Sequence, residues 1–364
     1  LLVIGKIHIY FTVGQGKGGT VLSIDSKYNA ESIQVLEGLE AVRRRPGMYI
    51  GSTGSKGLHH CAWEIIDNAI DEAGAGFCTK IQVTLNADGS LTVQDNGRGI
   101  PVDIHPVKQI PAVRLAFEQL HAGGKFGGNV YKSSGGLHGV GASVVNALSS
   151  FLRVEVTREG KVYQLEYEEG GKLKSDLQVI KKGVRGSGTT VTFKPDPTIF
   201  KETTNFKYDT LRSRLMELAF LNPGLSIILT DNRKESKTET FQYKNGLIGF
   251  VEHINRESEY NPVHKKPIYF KGEKDGIIVE CAIQYNEGED EHLRSYVNNI
   301  PTDEGGTHES GFRTALTKVF NTYGKKNNIF KKDESLIGDD LKDGLTCVLS
   351  VKVPEPQLDR KSGV

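Results

Sequence analysis

"WEIIDNAIDEA", Trp63 to Ala73, decides how the rest of the chain is read. Placed on a helix at about 100° per residue, Ile65, Ile66, Ala69, Ile70 and Ala73 share one arc, while Glu64, Asp67, Asn68, Asp71 and Glu72 fill the other. A solvent-facing arc is normally interleaved with Lys and Arg, which relieve carboxylate repulsion at i,i+4 spacing. This one carries no base. A cation from elsewhere, a distant arginine or a metal ion, is therefore expected against it.

The chain as a whole sets broad limits. Its 364 residues exceed one average domain, so two cores are expected. With 46 basic and 45 acidic residues the net charge is +1, and no global field directs the protein to nucleic acid or membrane, although a local basic groove stays open. Cys61, Cys78, Cys281 and Cys347 are scattered, without CxxC or zinc-ligand spacing, and read as reduced, buried thiols of a cytoplasmic protein. No apolar run reaches the length of a membrane span. Residues 1–24 lack the basic start and cleavage site of a secretory leader and are set aside as an extension of unknown origin.

Outward from the acidic helix, the apolar spacing from Ser32 to Val42 is helical and stops at Arg43, Arg44, Arg45 and Pro46. A structural role for this basic cluster competes with a DNA contact. "IQVTLNADGSLTVQDNG" reads as two alternating strands joined at Asp88-Gly89. A Gly-dense segment from Gly123 to Gly141 opens the helix "SVVNALS". "FLRVEVTREGKVYQLEYEEG" and "GTTVTFKPD" are strands, and "YDTLRSRLMELAFLNPG" is a helix closed by Asn222-Pro223-Gly224. This mixed order predicts an α+β sandwich rather than repeated βαβ units. The polar stretch "TDNRKESKTETFQYKNG" marks the expected boundary. Domain limits follow as 25–242 for the first domain and 243–364 for a second, smaller α/β domain of strands, the loop "NNIPTDEGGTHESGF", a helix and the strand "LTCVLSVKVP".

Four stretches, taken in their order, converge on a nucleotide. Glu64 and Asn68 lie one helical turn apart; an amide oxygen suits Mg²⁺, which keeps most of its waters, and the carboxylate can deprotonate a water. In "QDNGRGIP", Asp95 ends a strand where it can accept a hydrogen bond from an exocyclic amine, and Gly97 and Gly99 let backbone approach a flat base. In "GGKFGGNVYKSSGGLHGVGASVVNALS", the amides of Gly139, Val140 and Gly141 open a helix beside Lys125 and Lys132, an arrangement suited to phosphates. The Walker pattern is absent, and no βαβ unit carries the loop, so neither a P-loop nor a dinucleotide fold is supported. In "GSGTTVTF", Thr189 stands just before a strand, where its hydroxyl can join the hydrogen bonding of Asp95. Taken singly, each is an ordinary turn, loop or strand start.

In this order and spacing the four stretches resemble the N, G1, G2 and G3 boxes of the GHKL (Bergerat) ATPases, the superfamily of gyrase, Hsp90, histidine kinases and MutL. "GLHHCAWEIIDNAIDEA", "VQDNGRGIP", "YKSSGGLHGVGASVVNALS", "NNIPTDEGGTH", "GDDLKDGL" and "SVKVPEPQ" narrow the likeness. From about Tyr28 to Gln357 the chain is similar to the ATPase and transducer domains of the ATP-hydrolysing subunits of bacterial type IIA topoisomerases, the gyrase B and topoisomerase IV E family. Nothing resembles the phosphoacceptor histidine box of a kinase.

The resemblance implies roles residue by residue. Glu64 is the expected general base, His60 orients it, and Lys125 joins this catalytic set from the phosphates. Asn68 ligates Mg²⁺. Asp95 takes the adenine amino group together with Thr189, and Gly99 and Ile100 line the base pocket. Tyr131 and the amides of Leu137, His138, Gly139, Val140 and Gly141 hold the phosphates of ATP. Arg98, paired with Glu72, and Arg158 border the pocket. Tyr28 and Ile33 belong to an arm that reaches across a homodimer, with Tyr28 at the partner's nucleotide. The expected activity is an ATP-operated gate that dimerises and captures double-stranded DNA, in a heterotetramer with a DNA-cleaving partner, gyrase A or topoisomerase IV C. Lys265, Lys266 and "GKKNNIFKK" are expected on the DNA-facing side. The family continues after "VKVPEPQ" with a Gln-Thr-Lys loop, whereas this chain reads "LDRKSGV". Slow hydrolysis, with the protein acting mainly as a nucleotide-gated clamp, is therefore the alternative expectation.

Overall fold

The computed structural model describes residues 38–122, 139–331, 333–354 and 356–357. The helix α1 (Gly38–Arg44) and a single turn, α2 (Gly47–Ile50), lead into α3 (Ser55–Gly74). Leu58, Cys61, Ala62, Ile65, Ile66, Ala69 and Ile70 of α3 are buried at helical spacing. The opposite arc is not uniformly wet: Asn68 is exposed, Glu64, Asp67 and Glu72 are half-buried, and Asp71 is buried.

Strands β1 (Lys80–Leu85) and β2 (Leu91–Asp95) form the expected hairpin, with Val83 opposite Val93. Its turn is held by Asp88, whose carboxylate accepts from the Ser90 amide at 3.0 Å and hydroxyl at 2.7 Å, while Gly89 takes φ +84°. After α4 (Ala112–Glu118) and α5 (Gly141–Ala147) come β3 (Ser149–Arg158), β4 (Lys161–Glu168), β5 (Lys172–Lys182) and β6 (Gly188–Pro195). Helix α6 (Tyr208–Leu221) is followed by β7 (Ser226–Asp231) and β8 (Lys237–Phe241). These strands make one eight-stranded sheet, ordered β5-β4-β3-β6-β2-β1-β7-β8, in which only the β1–β7 pair is parallel. The polar stretch expected to hold the boundary contains the β7–β8 turn, the edge strand β8 and the run into the next helix; the polarity of β8 reflects the open side of the sheet.

The remaining elements are α7 (Gly246–Glu257), β9 (Ile268–Lys274), β10 (Ile277–Tyr285), β11 (His292–Val297), β12 (Ile300–Pro301), α8 (Thr307–Lys326) and β13 (Leu345–Lys352). A five-stranded sheet, β12-β11-β13-β10-β9, sits between two helices. Ala282, Tyr296 and Val348 face α7 and join the core of the first sheet, whereas Cys281, Ile283, Cys347 and Leu349 face Phe312 and Leu316 of α8. Strand β13 is buried on both faces, which explains its run of Leu345, Cys347, Val348, Leu349 and Val351. All four cysteines are buried and free, Cys281 and Cys347 with sulfurs 3.6 Å apart.

Of the basic cluster, Arg44 and Arg45 are exposed, while Arg43 is tied into the fold. Its guanidinium donates to the Ala147 carbonyl at 2.8 Å, at the end of α5, and to Asp196 at 2.7 Å. It ties α1 to the last turn of α5, the favourable place for a cation near a helix. This is a structural role.

Candidate functional site

The acidic helix α3 places Glu64 and Glu72 about two turns apart, and each meets a different loop. At Glu72 the partner is Arg98, just beyond β2. The guanidinium donates from Nε to Oε1 at 2.7 Å and from a terminal nitrogen to Oε2 at 2.8 Å, and the Arg98 amide adds a third bond to Oε1 at 2.9 Å. The guanidinium carbon also lies 3.7 Å from the centroid of Phe77. The base missing from the helix is thus supplied across the fold.

Asp95 ends β2 beside this pair. Its Oδ1 accepts from the Gly97 amide at 2.8 Å and the Thr189 amide at 3.4 Å. Burial pushes the carboxyl up to about 6; the two amide bonds pull it part of the way back, and the charge of Glu72 adds to the rise. Among the described residues nothing donates to Oδ2. Thr189, the second residue of β6, takes part differently from the sequence expectation. It reaches Asp95 through its amide, while its hydroxyl accepts from the Ile100 amide at 3.2 Å.

The two glycines after Asp95 have reasons within the protein itself. A Cβ on Gly97 would sit 2.3 Å from Glu72 Cγ, and Gly99, at φ +78°, is closely backed by the Thr157 carbonyl and Val156. Arg158 closes the same corner, donating to the Gly99 carbonyl at 3.2 Å. Asp95, Arg98, Gly99, Ile100, Arg158 and Thr189 are therefore brought together.

Further up α3, His60 Nε2 lies 3.1 Å from Glu64 Oε1. Desolvation pulls the His60 imidazole down, but its hydrogen bond to Glu64 and the charges of Glu64 and Asp67 outweigh this, so it holds its proton more tightly than an ordinary histidine. The other carboxylate oxygen lies against Gly141, the first residue of α5. Asn68 is exposed one turn beyond Glu64. Among the described residues no group of three or more His, Cys, Asp or Glu could hold a metal ion. Lys125, Lys132, Tyr131, Leu137, His138, Tyr28 and Ile33 lie outside the described residues. An open groove at the start of α3, between Ser52, Lys56 and Glu202, shares none of these side chains.

Comparison with known proteins points to one family. The family model described as "Histidine kinase-, DNA gyrase B-, and HSP90-like ATPase" matches residues 53–199, and the "DNA gyrase B" model matches residues 246–359. The DNA gyrase B protein of Halalkalibacterium halodurans is 58% identical over 333 residues, 91% of this chain and 52% of that protein. The corresponding B protein of DNA topoisomerase 4 from Streptococcus pneumoniae is 53% identical over 336 residues, 92% of this chain and 51% of that protein. The chain thus spans about half the length of the curated relatives it matches. Among solved structures, the 43K ATPase domain of Thermus thermophilus gyrase B, in complex with an aminocoumarin, superposes with a TM-score of 0.76 at 42% identity, covering 88% of this chain and 82% of that one. No helix among the described residues is long and apolar enough to cross a membrane.

Proposed function

Because the chain belongs to the DNA gyrase B family, which the topoisomerase IV B proteins share, and has the GHKL ATPase fold, we propose that it binds and hydrolyses Mg-ATP as the gate of a type IIA DNA topoisomerase. The observation that carries this reading is the pairing of a half-buried Asp95 at the end of β2, braced by the Gly97 and Thr189 amides, with the Glu64–His60 couple on α3. One end can recognise a base and the other can activate a water.

In this reading Asp95 accepts the adenine amino group through Oδ2, while Arg98, Gly99, Ile100 and Arg158 frame the base. Glu64 takes the proton of the attacking water, and His60, hydrogen-bonded to the carboxylate, fixes its direction and buffers the charge. The amides of Leu137 to Gly141, with Lys125 and Tyr131, receive the phosphates. Asn68 holds Mg²⁺, which supplies charge neutralisation on the phosphate oxygens. The domain limits proposed are 25–242 for the ATPase domain and 243–364 for the transducer.

The wider role rests on family membership. We place the protein in the cytoplasm, as a homodimer joined through the Tyr28 and Ile33 arm when ATP binds, in complex with gyrase A or its topoisomerase IV counterpart, and closing around double-stranded DNA. The exposed Lys265, Lys266, Lys325, Lys326 and Lys331 are suited to that contact. Glu64→Gln tests the chemistry. Turnover should fall at least about a hundredfold with binding of a non-hydrolysable analogue retained. Wild-type turnover in the variant would remove Glu64 from its role.

A further inference from the structure

Gly141 lacks a side chain at the point where Glu64 needs the space. A Cβ built there would lie 1.9 Å from Glu64 Oε2, 2.8 Å from its Cδ and 3.1 Å from its Cβ. Backbone conformation does not ask for glycine at this position, since Gly141 is not among the positive-φ residues, unlike Gly139 at φ +58°. The requirement is spatial. The opposite oxygen, Oε1, is 3.1 Å from His60 Nε2, so the carboxylate is confined from two sides.

Helix α5 is poorly placed to retreat from an added methyl group. Ser143, Val144, Val145 and Ala147 are buried within 2% of complete, and the Arg43 guanidinium holds the Ala147 carbonyl at the far end. The Glu64 side chain is the part that can move. Swinging it off Gly141 also takes it away from His60.

We propose that Gly141 is a positioning residue that sets where the Glu64 carboxylate stands relative to its reacting water. The role rests on the reading of Glu64 as the general base. A displacement of about 1 Å in a catalytic group can cost up to about a hundredfold in rate.

The test is Gly141→Ala in the full 364-residue chain, with steady-state ATPase kinetics and titration of a non-hydrolysable ATP analogue. The expected result is a kcat lowered about tenfold to a hundredfold, with KM and analogue affinity within about threefold of wild type. In the Glu64→Gln background the same substitution should cost nothing further, and Glu64→Asp, whose shorter side chain clears the methyl, should recover part of the lost rate. Unchanged turnover in Gly141→Ala, loss of binding equal to loss of turnover, or full additivity with Glu64→Gln each overturns the proposal. A Glu64→Gln variant that turns over normally defeats the general-base reading itself, a different outcome from an inert Glu64→Gln beside a normal Gly141→Ala. Should Gly141→Ala fail to fold, the double variant with Glu64→Asp carries the test: restored folding supports the steric account, and persistent unfolding overturns it.

Discussion

Replacing Asp95 with asparagine should make the nucleotide-free protein more stable at neutral pH. The carboxyl titrates at about 6 instead of 3.8 because it is desolvated, with Glu72 close by. At about 1.36 kcal/mol per pH unit, keeping it ionised costs the fold roughly 3 kcal/mol above pH 7. A carboxyl with a raised folded value contributes stability that is complete below 3.8 and lost as the pH climbs through about 6. Asparagine keeps an oxygen for the Gly97 and Thr189 amides without the charge, so a net gain of roughly 1–3 kcal/mol is expected. Urea denaturation of wild type and Asp95→Asn without nucleotide, at pH 4.5 and pH 7.5, reads this directly. The gap between variant and wild type should widen by about 2 kcal/mol from the lower pH to the higher, with the variant more stable at pH 7.5. A variant equal to or weaker than wild type at pH 7.5 would refute the claim that this carboxylate is held at a cost to the fold.

The same titration should govern ligand binding. Affinity for an ATP analogue, measured by calorimetry, should be flat above pH 7 and fall towards about tenfold per pH unit below pH 6, as Asp95 takes up a proton. Arg43→Ala should destabilise the protein by roughly 2–3 kcal/mol, because it strips one bond from the Ala147 carbonyl and leaves Asp196 buried without its cation. Urea midpoints measure this, and a change below about 0.5 kcal/mol would return the basic cluster to a surface role.

Local signals made much of this architecture legible. The acidic arc of α3, the Asp88-Gly89 turn and the Asn222 helix stop are short-range patterns, and each appears where the chain predicts it. Strand β5 carries no such signal: "KLKSDLQVIKK" lies at the sheet edge with nothing fully buried on either face, so no apolar alternation marks it, although it pairs with β4 as a local hairpin. Helix α7 was overlooked despite a usable signal, Leu247, Phe250, Val251 and Ile254 at i, i+3, i+4 and i+7. The polar stretch 230–246 holds both an edge strand and the run into α7, which share the same polarity, so its composition alone does not separate strand from linker. At the site, the Glu72–Arg98 pair was anticipated, but no local pattern shows that Gly97 makes room for Glu72, or Gly141 for Glu64. Such steric reasons for a glycine exist only once distant segments are packed together.

If Asp95 is the group that recognises an adenine nucleotide, titrating a non-hydrolysable ATP analogue with Mg²⁺ into wild type and Asp95→Asn by calorimetry will separate the two proteins. Wild type should bind saturably, and the variant, whose amide turns a donor towards the adenine amino group, should lose about a hundredfold or more in affinity. Equal affinity in both proteins, or binding in neither, would contradict this role of Asp95.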